Sequence, residues 1–351
     1  MQSRATDMHG VMRSSQQNEN GTSMLSSVLE NISLSADDIR NYQIFYPYAL
    51  DKTVKALTSG HSFVHYCSSN AAASMIQHQE VWMRNVTWMN DSSEIAHGKA
   101  CLAGALKSDI AAELGSVLDS YFEGFTNHLL NVLNSWIPHF EQETYITCLT
   151  EQLPDEEQMG RLSMWRAYGA GSNPVAFVVG SGPFLRPSDA LDAYTSPVAY
   201  LSPTQFIEQY ALVAKNIIDN IEYLRERGRD HVLAHLFAAY RHAIICTKHP
   251  SFHEEREWRI IYQPTFQQSK RLLPDRVTIA GSPQRIYKIP MIDVSEEGFY
   301  GATLPDLFQR LLIGPSNTSS QLKREFVQLL YENGVEDAAL KVEVSDVPLR
   351  V

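Results

Sequence analysis

The sequence predicts a mixed α+β domain, and three observations carry that prediction. Short β-rich runs are scattered among long helical patterns, without the regular βα alternation of a doubly wound sheet. No GxGxxG follows a strand and no GxxxxGK[ST] occurs, so a dinucleotide fold and a P-loop both lack support. The chain has 351 residues, 44% of them hydrophobic and 20% charged, which is ordinary for a globular protein with one large core.

Residues 1–35 are rich in Ser, Asn, Gln and Met and read as a disordered leader ahead of a single domain over 36–351. Ser35, followed by Ala36-Asp37-Asp38, has the form of a helix N-cap with acids in the first turn. An extended segment is expected around Tyr42–Tyr48. His61–Cys67 is the first strand, and Ser68-Ser69-Asn70 caps a helix over Ala71–Gln79. Val81–Val86 is a second strand, running into Trp88–Glu94, where turn residues cap the next helix. Residues 98–138 form a first helical insertion, with Leu102, Leu106, Ile110 and Leu114 four apart. Tyr145–Leu149 is a short strand, and Leu162–Gly169 a short helix stopped by glycine. Val175–Val179 and Val198–Leu201 read as strands. Residues 203–246 form a second helical insertion, broken near Arg227-Gly228. Strands are then expected at Glu257–Tyr262, Arg285–Ile289 and Leu311–Ile313, a helix at Ser319–Glu332, and a last strand at Leu340–Val344.

The formal net charge is −11. That argues against a protein that coats duplex nucleic acid through a broad basic face, while leaving room for a local basic groove. Cys67, Cys101, Cys148 and Cys246 are widely spaced with no CxxC pair, so neither a zinc knuckle nor a disulfide framework is indicated. There is no basic start followed by an apolar run, and no run of roughly 18 apolar residues. A soluble cytoplasmic protein is the expectation, with its oligomeric state open.

Several constellations can carry chemistry. His65-Tyr66 ends a strand, where it either lines a crevice, with histidine against a sugar hydroxyl, or forms a half-buried aromatic pair. Glu254-Glu255-Arg256-Glu257-Trp258-Arg259 opens an apolar strand. A two-residue period puts Glu255, Glu257 and Arg259 on one face, the two carboxylates about 7 Å apart at a rise of roughly 3.3 Å per residue. One carboxylate can then act on a sugar while the other holds an acceptor or water. The alternative is a charged strand end with weak surface pairs. Trp165-Arg166-Ala167-Tyr168 offers a π face and a cation to a nucleotide, or else packs Trp165 into the core. Arg84 binds a phosphate or holds a loop with Asn90, Asp91 and Glu94. His231 and His235 are four apart on a helix, but without HExxH or a third ligand an ordinary helix face is favoured and no metal is expected. His249 and His253 have the option of facing the same crevice as Glu257.

Taken in order, His-Tyr-x-Ser, Trp…Asn-Asp-x-x-Glu, Met-Trp-x-x-Tyr and Glu-x-Glu-Trp-Arg-Ile-Ile resemble the domain-of-unknown-function 2971 family over roughly residues 60–315. The same order is similar, more distantly, to ADP-ribosyltransferases of the His-Tyr-Glu type. That resemblance implies a split ADP-ribosyltransferase-like sheet with helical insertions and NAD as substrate. It gives His65 a ribose contact, Tyr168 (or Tyr66) the nicotinamide stack, Glu257 the ribose beside the cleaved bond, and Glu255 the acceptor. Arg84 and Arg166 would hold the diphosphate. It further implies an enzyme that transfers ADP-ribose to RNA, single-stranded DNA or protein, as a toxin or anti-phage effector, with an inhibitory partner protein conceivable. Glu257→Gln is then expected to abolish activity without unfolding the chain. Two other functions compete: an inactive nucleotide-binding or sensor module of the same fold, and a metal-dependent nuclease or hydrolase using Glu254, Glu255 and the nearby histidines.

Overall fold

The structure is a computed structural model and describes residues 34–89, 94–169 and 173–347. Most of the leader, together with Asn90 and Asp91, lies outside the described residues. Ser35 caps α1 (Ala36–Phe45) through a capping box: its hydroxyl accepts from the Asp38 amide at 3.1 Å, and the Asp38 carboxylate accepts from the Ser35 amide at 3.1 Å. The extended segment expected around Tyr42–Tyr48 is instead helical. Pro47 occupies the first turn of α2 (Pro47–Ser59), a position its fixed φ favours. β1 (Phe63–Ser68) then hands over to α3 (Ser69–His78), whose first turn is closed by the Ser68 hydroxyl accepting from the Ala71 amide.

After β2 (Glu80–Asn85) comes the first helical insertion: α4 (Glu94–Ala105), α5 (Asp109–Tyr121) and α6 (Phe125–Gln142). β3 (Tyr145–Glu151), α7 (Leu162–Gly169), β4 (Pro174–Val179), β5 (Tyr194–Pro197) and β6 (Ala199–Tyr200) follow. The second insertion is α8 (Pro203–Asp219), α9 (Ile221–Arg227) and α10 (Arg229–Cys246), broken at Gly228 with φ +92°. β7 (Thr247–Lys248), β8 (Glu257–Tyr262), the hairpin β9 (Leu273–Ile279) and β10 (Ser282–Pro290), β11 (Phe308–Ile313), α11 (Ser319–Glu332) and β12 (Val342–Val344) complete the order.

Ten strands form one mostly antiparallel sheet, in the order β12-β11-β4-β1-β3-β2-β10-β9, with β8 on β3 and β5 on β8. The pairing around β3 positions everything that follows. One edge of β3 runs against β8 from Tyr145 to Thr150. Its other edge is shared: β1 takes Thr150 and Glu151, and β2 takes Tyr145 and Ile146. The sheet forks between them, at Cys148.

Alternation along the strands separates two layers. One face buries Phe63, Leu149, Phe177, Trp258 and Ile260 with Met75 and Ile76 of α3 and Phe326 and Leu330 of α11. The other carries two apolar clusters. Ile146 and Ile261 pack under the helical insertions, and Val64, Tyr66, Ala176 and Leu312 pack under Trp165. Between these clusters lies a polar seam, which holds the candidate site. Among the described residues no helix is long and apolar enough to cross a membrane.

Candidate active site

β8 begins at Glu257, and the residue before it, Arg256, has φ +43°. A left-handed conformation at a bulky residue costs about 1–2 kcal/mol, so the surroundings must hold it. Arg161, itself buried, does much of this. Its guanidinium donates to the Thr150 hydroxyl at 2.7 Å, to the Glu254 carbonyl at 2.6 Å and to the Glu255 carbonyl at 3.1 Å, and it pairs with Glu156 at 2.9 Å. Arg256 closes on the same Glu156 carboxylate. Glu255 therefore ends a 3-10 turn (Pro250–Glu255) rather than sitting on the strand. The expected 7 Å strand spacing is replaced by closer contact, because the turn at Arg256 folds Glu255 back toward Glu257.

The two carboxylates meet on Lys248. Its ammonium lies 2.7 Å from Glu255 and 3.2 Å from Glu257. Glu257 is also bound by Arg259, fully buried two residues on, at 2.7 Å. Arg259 is anchored in turn by donating to the Ile245 carbonyl at the end of α10. The Glu257 amide donates to the Tyr200 hydroxyl at 2.8 Å. The two acids are driven apart electrostatically. Burial alone would raise the Glu257 carboxyl, but Arg259 and Lys248 outweigh it and hold the group down at about 2. Burial pushes the less tightly paired Glu255 carboxyl above the ordinary range, with Glu257 adding to the rise.

Tyr168 of α7 faces this pair. Burial, then Cys148, Glu257 and Glu255, raise its phenol, and Lys248 opposes them. Arg84 lies on the same sheet face, paired in register with Ile146; it donates to the Trp88 carbonyl at 2.8 Å and to Gln284 at 3.2 Å. Arg166 is exposed on α7. The structure thus brings Glu257, Glu255, Tyr168 and Arg84 to one face of the sheet.

His65, Tyr66 and Trp165 are placed differently. His65 pairs in register with Phe177 and so faces the other layer, away from Glu257. Its Nδ1 lies 2.9 Å from the carbonyl of Cys148, the residue at the fork. Burial pushes its imidazole below the ordinary value, and Nδ1 is the donor because a carbonyl only accepts. Tyr66 does face the Glu257 side, but only 4% of it is exposed, and its hydroxyl accepts from the Arg161 amide at 2.9 Å. Trp165 is fully buried against Tyr66, ring centroids 5.0 Å apart, and its indole donates to the Met159 carbonyl. Gly160 and Gly314 make room for that ring: an added Cβ would come within 2.5 and 2.9 Å of it. Trp165 is packed into the core, and Tyr66 is buried rather than half-buried.

Residues 164–260 match the model of the family described as protein of unknown function (DUF2971). No curated protein and no solved structure matches the chain. The DUF2971 segment is narrower than the motif resemblance, which spanned roughly 60–315. It contains Trp165, Tyr168, Lys248, Glu255, Glu257 and Arg259, and excludes His65, Arg84 and Cys148.

Sequence reasoning passed over Lys248, Tyr200 and Arg161. Lys248 opens the Lys248–His253 run that drew notice only for its histidines. Those histidines serve the backbone: His249 Nδ1 accepts from the Ser251 amide at 3.2 Å, and His253 Nδ1 lies 3.1 Å from the Pro250 carbonyl. His231 and His235 pack on α1, His231 3.2 Å from Asn41 and His235 stacked on Phe45.

The buried imidazoles and Glu257 should make the fold acid-sensitive. Burial lowers the His235 and His242 imidazoles to about 4. Below about pH 6.5 the unfolded chain binds protons that the folded chain refuses, so stability falls as pH drops from about 6.5 to about 4. Glu257 extends the loss below pH 4.5, down to about 2. The urea midpoint should decline steadily between pH 7 and pH 4. A flat profile over that range would show that these imidazoles are not held neutral.

Proposed function

We propose that the DUF2971 segment, with β2 and β3, forms a site that cleaves the nicotinamide–ribose bond of NAD and passes ADP-ribose to a nucleic-acid or protein acceptor. The observation that supports this most directly is the carboxylate pair. Two acids in contact, one held ionised and the other raised, are an acid–base division of labour. Breaking a glycosidic bond builds positive charge on the sugar, which the anionic Glu257 stabilises more in the transition state than in the ground state. Nicotinamide leaves neutral with the bonding electrons. The acceptor adds to the sugar carbon, and Glu255 takes its proton as general base. Tyr168 supplies an aromatic face for the leaving ring, and Arg84 and Arg166 supply cations for the diphosphate. The forked sheet, with its helical insertions on one face, fits the split core that the ADP-ribosyltransferase resemblance implies. His65 has no ligand role in this reading; it holds the fork.

One observation favours a second reading, an inactive nucleotide-binding or sensor module of the same fold. Both Glu257 oxygens are already engaged by Arg259 and Lys248. A single experiment separates the two. The purified chain is incubated with NAD, alone and with RNA, single-stranded DNA or cell lysate, and free nicotinamide is measured. Release above the no-enzyme blank is expected. NAD binding by calorimetry with no release in any arm would establish the binding module, and neither binding nor release would remove both.

A further inference from the structure

A separate cavity of about 610 Å³ runs along β5, from α10 to the sheet residues Leu149, Trp258 and Ile260. Trp258 and Ile260 alternate along β8 with Glu257 and Arg259, so the cavity meets the layer that the carboxylate pair does not face. Its volume lies within the range of small-molecule sites, and its sheet wall is apolar and aromatic.

At the α10 end stands Arg241, 8% exposed. Among the described residues it has no ion pair, and its Nε has no hydrogen-bond partner. Its guanidinium is stacked 4.9 Å from the Tyr194 ring and 4.4 Å from the Phe266 ring. The Tyr194 hydroxyl, also buried, has no partner either. Both residues line the cavity, and each holds one buried atom without a hydrogen-bond partner. A buried cation without an ion pair is costly, and two stacked rings return only part of that cost.

Among the described residues no neighbouring group forms an ion pair with it. His242 spends Nδ1 on the Ala238 carbonyl at 2.7 Å, and both His242 and His235 are held neutral. The carboxylates of Asp38 and Asp192, which also line the cavity, are bonded to Ser35 and Gln267. Asp189 makes no ion pair with Arg241. Arg186, the second cation on the lining, is stacked on Tyr300 at 4.2 Å.

We propose that this cavity is a binding site for a small carboxylate with an apolar body, its headgroup on the Arg241 guanidinium beside Tyr194 and its body against Leu149, Trp258 and Ile260. A guanidinium fork matches a carboxylate bidentately, and the phenol supplies a further donor. A single deep cation suits a monoanion better than a phosphate dianion.

The test is calorimetric titration of the full-length protein with decanoate and with 3-phenylpropionate, and with decanol and inorganic phosphate as controls. Decanoate or 3-phenylpropionate should bind. Decanol should bind at least ten-fold more weakly than decanoate, and phosphate should not compete. Arg241→Met should weaken binding at least ten-fold and Tyr194→Phe about three-fold. If Arg241→Met does not fold, Tyr194→Phe with the decanol comparison decides. No binding by either carboxylate, equal affinity for decanol, displacement by phosphate, or unchanged affinity in the variants would each overturn the assignment.

Discussion

Glu257→Gln will lower the stability of the folded chain by about 3–5 kcal/mol, the usual result of removing one partner from a buried ion pair. The sequence alone points the other way, to a substitution that abolishes activity and spares the fold. The difference lies in what surrounds the carboxylate. Arg259 is fully buried beside it, and the Lys248 side chain is 6% exposed. A neutral amide can keep one oxygen on Arg259, but it removes the charge that pairs with it and turns an N–H group toward the cations on the other oxygen. Lys248 keeps Glu255 and so loses less. Urea unfolding followed by circular dichroism measures the loss directly. Combining Glu257→Gln with Arg259→Met should cost less than the sum of the two, with a coupling of about 0.5–3 kcal/mol. Additive losses would mean that the two side chains do not act as a pair. Any activity lost in Glu257→Gln must therefore be read at a temperature and urea concentration where the variant is folded.

Much of the fold was legible because its signals are local. β1, β3, β4 and β8 are apolar runs of strand length, and they fall within a residue or two of their expected limits. The helical insertions announced themselves through four-residue periodicity and the break at Gly228. What stayed hidden lacked such a signal. β9 is exposed along most of its length, so no hydrophobic pattern marks it, and only its partner β10 was recognised. The candidate site divides the same way. Tyr168, Glu255 and Glu257 stand in short motifs whose residue types suggest chemistry by themselves. Which of His65 and Tyr66 faces them depends on the pairing of β1 with β4, and a period of two makes the neighbours exclusive. Lys248 reaches Glu255 and Glu257 only because Arg256 adopts a left-handed turn, and nothing in a Glu-Arg-Glu string announces that conformation.

Glu255→Gln should do the opposite of Glu257→Gln: the fold survives and turnover is lost. The Glu255 side chain is 33% exposed, and among the described residues it pairs with Lys248, which retains Glu257 when Glu255 is gone. An ion pair as open as this contributes about 0–1 kcal/mol, so the urea midpoint should barely move. If Glu255 takes the acceptor's proton, nicotinamide release in the presence of acceptor should fall about 10²–10⁴-fold, the range a positioned base supplies. NAD binding measured by calorimetry should stay within about two-fold, because the base acts on the acceptor and not on the dinucleotide. The pH profile gives a second readout. A base works only when deprotonated, and Glu255 is raised above the ordinary carboxylate range. Activity of the unaltered protein should therefore climb with pH through that raised value, and the climb should disappear from the residual activity of Glu255→Gln. A variant that kept full turnover, or the same acid limb, would take the general-base role away from Glu255 while leaving Glu257 and Tyr168 to be tested on their own.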